Sequence, residues 1–119
     1  MKEFSFEKLN VWQKTADFIV DIYTVTKSFP DTEKFGLTSQ IRRASVSIAS
    51  NIAEGSSRST SKDKARFYNI AYSTAIEVLN QLIISNRLTM LEDVDYNKLR
   101  MDLEEITRMI NSLHKSTNS

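Results

Sequence analysis

Two glycines and one proline are all the backbone punctuation available to 119 residues. Strand proteins reverse direction often, and tight turns draw on glycine and proline. With only Pro30, Gly36 and Gly55, the chain suits a few long helices joined by short links. The apolar spacing agrees. Over residues 9–28, Val11, Thr15, Phe18, Ile22, Val25 and Phe29 form one stripe. Trp12, Ala16, Ile19 and Tyr23 form a second, about 100° away. A helix at the edge of a small monomer needs one stripe, so two imply burial on two sides.

After "SFPDTEKFGL", a second helix is expected over 38–54 with Gly55 as its C-cap. Leu37, Ile41, Ala44, Ile48 and Ile52 fall on one line at about 100° per residue. Gln40, Arg43, Ser47, Asn51 and Glu54 make a polar edge on one side of that line; Arg42, Val46, Ala49 and Ala53 lie on the other. Small side chains on that second flank let another backbone come close, so dispersion contacts accumulate. "SSRSTSKDK" is the next link, with Thr60 and Asp63 as a short capping box. A third helix over 61–88 has its main stripe at Phe67, Ile70, Ala71, Thr74, Val78, Leu82 and Ile83, flanked by Tyr68, Tyr72, Ala75, Ile76 and Leu79. "TMLEDVD" follows, with Asp93 or Asp95 as N-cap. A fourth helix over 95–114 has a 3-4-3-4-3 seam of Tyr96, Leu99, Leu103, Ile106, Ile110 and Leu113, and "HKSTNS" reads as a frayed tail. The expected fold is one all-α domain, an up-down-up-down antiparallel four-helix bundle.

Three segments carry a resemblance. "FEKLNVWQKT", "FPDTEKFGLTSQIRRASVSIASNIAEGSSR" and "RFYNIA" resemble the 23S rRNA intervening-sequence proteins, a bacterial four-helix bundle family. The likeness spans roughly residues 4–83. It departs at Ser73-Thr74 and Glu77-Val78, where the family pattern reads Gly-Ser and Glu-Leu. That family is similar to the accessory variability determinants of diversity-generating retroelements, pentameric barrels that bind nucleic acid and a reverse transcriptase. The resemblance implies a closed ring of five protomers and contact with RNA or DNA. On that reading Trp12, Arg42, Val46, Ala49 and Ala53 form the oligomer interface.

Enzymatic chemistry has little to draw on. There is no cysteine, which excludes disulfides and thiolate metal sites, and His114 is the single histidine. Gly36 and Gly55 cannot build a phosphate loop, and Glu-x-x-His motifs are missing. The carboxylates of "DLEEI" read as a solvated helix face rather than a metal pair. No catalytic residue, cofactor or metal is therefore expected. "MKEFSFEKLNVWQK" has no apolar core of a signal peptide, and no apolar run is long enough to span a bilayer. A cytoplasmic protein without membrane contact is the expectation.

Charge is more informative. The chain carries a net charge of +1. Residues 42–66 hold Arg42, Arg43, Arg58, Lys62, Lys64 and Arg66 against Glu54 and Asp63, a net +4. These six are the candidate phosphate contacts, expected together at one end of the second and third helices. The serine-rich turn adds hydroxyls and N–H groups, and the third helix adds its dipole. The polar edge Gln40, Arg43, Ser47, Asn51 and Glu54 reads either as a ligand-lined groove or as a hydrogen-bonded seam between helices or subunits. Arg43 and Glu54 stand about 16 Å apart along a helix, so each needs another partner. Two functions follow. One is a non-enzymatic nucleic-acid-binding scaffold or chaperone of weak sequence selectivity. The other is an interaction module whose ring docks a protein such as a reverse transcriptase.

Overall fold

The computed structural model describes residues 1–117. A short 3₁₀ turn, Ser5–Lys8, precedes helix α1, Asn10–Thr26; a second, Asp31–Glu33, precedes α2, Leu37–Ser56. Helices α3, Ser61–Arg87, and α4, Asp93–Ser116, complete the chain, and no strand occurs among the described residues. Each helix packs on two others: α1 on α2 and α4, and α3 on α2 and α4. The diagonal pairs make no close approach, so the four helices stand at the corners of a bundle. None of them is long and apolar enough to cross a membrane.

The core follows the sequence stripes closely on three helices. Val11, Thr15, Phe18 and Ile22 of α1 are buried, as are Ile41, Ala44, Ile48 and Ile52 of α2, and Leu99, Leu103, Ile106 and Ile110 of α4. Most buried hydroxyls are satisfied locally; Thr38 Oγ1, near the start of α2, has no partner among the described residues. Thr15, Ser45 and Ser85 each donate to the carbonyl four residues back at 2.7 Å. On α3 the buried line is Phe67, Tyr68, Ala71, Ala75, Val78 and Leu82, while Ile70 is exposed. That helix is apolar over a wide arc, and its buried line mixes aromatic, aliphatic and small residues, while Ile70, Ile76 and Ile84 stay exposed.

Several helix ends differ from expectation, each for a local reason. Gly55 is not a left-handed C-cap: the helix continues to Ser56, and no glycine has positive φ. It is small because a Cβ there would lie 2.6 Å from Tyr68 Cε1 and 3.0 Å from Phe67 Cβ. The left-handed position falls instead on Thr89, with φ 60°. There Met90 N–H donates to Ser85 O (3.0 Å) and Thr89 N–H to Asn86 O (2.9 Å), closing α3 in a Schellman motif. Neither Asp93 nor Asp95 caps α4, whose N-cap is Glu92; Asp93 accepts instead from Asn86 Nδ2 at 2.8 Å. Helix α4 also outruns residue 114, because Thr117 caps its end by donating to His114 O at 2.7 Å. The last two residues of the expected frayed tail lie outside the described residues.

Candidate nucleic-acid interface

The six basic candidates do not share one end. Arg42 and Arg43 lie in the first turns of α2, and Arg58 follows its last turn, about 20 Å away along the axis. Arg42 is already engaged: its Nε donates to Thr26 Oγ1 at 2.8 Å, and its guanidinium sits 4.7 Å from the Tyr23 ring centroid. It pins α2 to α1. Arg43 is exposed and has no ion pair among the described residues.

The other four do converge, around the turn between α2 and α3. Arg58 and Arg66 both stack on Phe67, at 4.4 and 4.5 Å from its ring centroid. Cation–π contact holds them without removing their charge. Asp63 lies between them, 3.9 Å from Arg58 Nε and 3.3 Å from Arg66 Nε, and Glu54 approaches Arg58 at 3.7 Å. Lys64 Nζ donates to Ser56 O at 2.9 Å, tying the end of α2 to the start of α3. Lys62 is exposed. With Glu54 and Asp63 counted, this end carries +2, not the +4 of the whole segment. Beside it runs an open concavity of about 720 Å³ along the first turns of α3, lined by Thr60, Ser61, Lys62, Arg66 and Asn69 among others.

The turn's hydroxyls are less free than the sequence implies. Ser56 and Ser57 donate to Ala53 O and Glu54 O at 2.9 and 2.7 Å. Thr60 Oγ1 accepts from Asp63 N–H at 3.1 Å, which is half of a capping box. The Asp63 carboxylate turns to the arginines instead. Phe67 is the contributor that charge counting passes over. Its only sequence signal is an aromatic ring directly after Arg66.

Trp12, Val46, Ala49 and Ala53 come together, with Phe6, Ala16, Ile19 and Ser50, in an apolar groove of about 430 Å³ between α1 and α2. The N-terminal 3₁₀ turn seats Phe6 against Trp12, edge to face at 5.1 Å. Arg42 is not part of this groove. Ala49 is buried within the protomer at 8% exposure, whereas Val46 is 40% exposed and Ala53 half-buried. Helix α1 lies over the near side of that flank and leaves its far side open.

The polar edge of α2 divides. Asn51 Nδ2 donates back to Ser47 O at 2.9 Å, and Glu54 takes its partner from Arg58 one turn on rather than from another helix. Gln40 and Arg43 face α3 across a second groove, of about 610 Å³, whose other wall holds Glu77, Asn80, Gln81 and Ile84. Of the "DLEEI" carboxylates, Asp102 and Glu105 pair with Lys14 of α1 at 3.6 and 3.1 Å. No group of three or more residues suited to hold a metal occurs among the described residues.

The four-helix arrangement has solved counterparts. A crystal structure of a protein with unknown function from the S23 ribosomal protein family of Bacteroides thetaiotaomicron matches with a TM-score of 0.81. It is 28% identical, and the match covers 88% of this chain and 95% of that one. No curated protein sequence matches. The family profile described as 23S rRNA-intervening sequence protein matches residues 7–112, nearly the whole bundle, so the chain belongs to the 23S rRNA-intervening sequence protein family.

Proposed function

We propose that the chain is a non-enzymatic, cytoplasmic scaffold or chaperone for RNA or DNA, working as a closed ring. The observation that carries this reading is the convergence of Arg58, Lys62, Lys64 and Arg66 at one end, with two guanidiniums held on Phe67. A patch of +2 is weak alone. Rotational symmetry repeats it in every protomer, and fields of like patches add. The open groove beside Trp12, Val46 and Ala53 supports assembly, since a second copy would cover its apolar wall. Five protomers is the number that the family resemblance implies.

Binding of this kind is dominated by phosphate contacts. The affinity should fall with salt by about 0.9 log units per log unit for each phosphate neutralised on duplex, and ~0.7 on single strands. Changing Arg58, Lys62 and Arg66 together to Gln should weaken binding to RNA and DNA alike and flatten that slope. Lys64 is left alone because it ties the turn. Unchanged affinity and slope would make the cluster an ordinary solvated face. A second reading, a ring that docks a protein such as a reverse transcriptase, draws on the exposed Val20, Val94 and Met101, which lie outside the α1–α2 groove. Purification with and without nuclease, read by absorbance at 260 nm, separates the two.

A further inference from the structure

Gln81, in the wall of the groove between α2 and α3, carries an unmet hydrogen bond: it is 6% exposed, and its Oε1 is buried with no partner among the described residues. Buried polar atoms are almost always paired, so one that is not asks for a ligand or a water. Its surroundings are chemically specific. Glu77 and Gln81 are one turn apart on α3, and Gln40 and Arg43 are neighbours on the facing side of α2. Neither Glu77 nor Arg43 has an ion pair among the described residues. At the rim stands Phe35, 90% exposed, with Lys34 Nζ 5.6 Å from its ring centroid.

An aromatic platform, a free guanidinium and a carboxylate beside carboxamides are the elements that recognise an unstacked base of a single strand. We propose that this groove takes a nucleobase edge-on, guanine in preference. Guanine presents two adjacent donors, N1–H and the 2-amino group, to the Glu77 carboxylate and the Gln81 amide oxygen. As the side chain stands Oε1 is closed off from the groove, and half a turn of Gln81's soft terminal torsion exchanges it with Nε2 and brings it to the incoming donor. Phe35 stacks on the base or its neighbour, and Arg43 meets a flanking phosphate. At about 610 Å³ the groove has room for a nucleoside. Uracil offers one N–H in place of two and fits less well. This inference rests on the nucleic-acid reading above and adds a base preference to phosphate binding at the α2–α3 turn.

Fluorescence anisotropy with labelled twelve-nucleotide strands tests it, comparing a repeat of GUU with oligouridine and with a mixed-sequence duplex. The wild-type chain should bind the guanine strand about tenfold more tightly than oligouridine. Gln81→Leu and, separately, Glu77→Gln should abolish that preference while leaving duplex affinity and its salt slope unchanged. Glu77 is exposed, so its variant folds even where the Gln81 variant does not. Titration with guanosine 5′-monophosphate should shift the side-chain amide resonances of Gln81, and uridine 5′-monophosphate should not. Equal affinity for the two strands, or a preference that survives both variants, overturns the groove and leaves the phosphate reading standing. A wild-type chain that binds no nucleic acid overturns both.

Discussion

At Gly55 two residue-scale effects oppose each other. Replacing a helical glycine by alanine gains about 1 kcal/mol of helix propensity. Here the new Cβ would meet the Tyr68 ring at 2.6 Å, and Tyr68 is only 3% exposed, so the ring cannot swing away. Overpacking of this kind costs about 1–3 kcal/mol. Gly55→Ala should therefore lower the urea midpoint, and in a Tyr68→Ala background the loss should shrink, with Phe67 Cβ at 3.0 Å still in the way. Thr89 offers the opposite case. A β-branched residue in the left-handed region costs about 1–2 kcal/mol, while its Schellman hydrogen bonds need only the backbone. Thr89→Gly should stabilise by about 1 kcal/mol in the same measurement, and a loss would show that the Thr89 side chain holds the turn. The sequence could mark Gly55 as special but not say why. Its neighbour in space, Tyr68, comes from another helix.

At the scale of elements, α1 and α4 are joined by a charged lattice above their apolar contact. Lys98 Nζ donates to Asp21 at 3.1 Å and to Asp102 at 2.9 Å, and Lys14 reaches Asp102 and Glu105. The hydrogen bond to Glu105 raises the Lys14 pKa above its ordinary 10.5, and that to Asp102 does the same for Lys98. Burial lifts the Tyr68 hydroxyl above its ordinary 10.0. All three groups keep their proton longer folded than unfolded. Stability is therefore complete below the unfolded values, 10.0 for Tyr68 and 10.5 for the two lysines, and falls as pH rises from about 10 through the folded values. Thermal midpoints should fall over that window. Lys14→Met with Lys98→Met should flatten the fall, and Tyr68→Phe should remove a separate part of it. Beneath the lattice, Ile106 is wholly buried, and Ile106→Ala should cost about 2–5 kcal/mol by denaturant titration. The α4 seam was legible because its 3-4 spacing is narrow. The wide apolar arc of α3 misled the spacing: Ile70 of the expected stripe is exposed, Tyr68 and Ala75 of its flank are buried, and contact with α2 and α4 chose the line.

For the whole molecule the question is what covers the α1–α2 groove. Ala53 is the better probe of it, since Ala49 is buried within the protomer. On the reading of the chain as a ring, Ala53→Glu should turn a closed oligomer into monomers by light scattering. Far-UV helicity should stay close to wild type, because the position is half-buried at the groove and not in the core. A wild-type chain that is already monomeric at micromolar concentration would remove the ring, and with it the summed field that the nucleic-acid reading needs.

The helical class, the number of helices and most of the core could be read from the chain alone. Those follow from backbone punctuation and from periodicity, which act within about one turn of the chain. What became of the charges and polar edges depended on the packed fold. It sent Arg42 to α1 and gave Glu54 to Arg58. It folded Arg58 and Arg66 onto Phe67 and set Gln40 and Arg43 across from the unpaired Gln81. Side-chain partners of this sort depend on which helix lies opposite and at what rotation. Those are set by how close two backbones can come, and at Gly55 it is a ring on α3 that sets the distance.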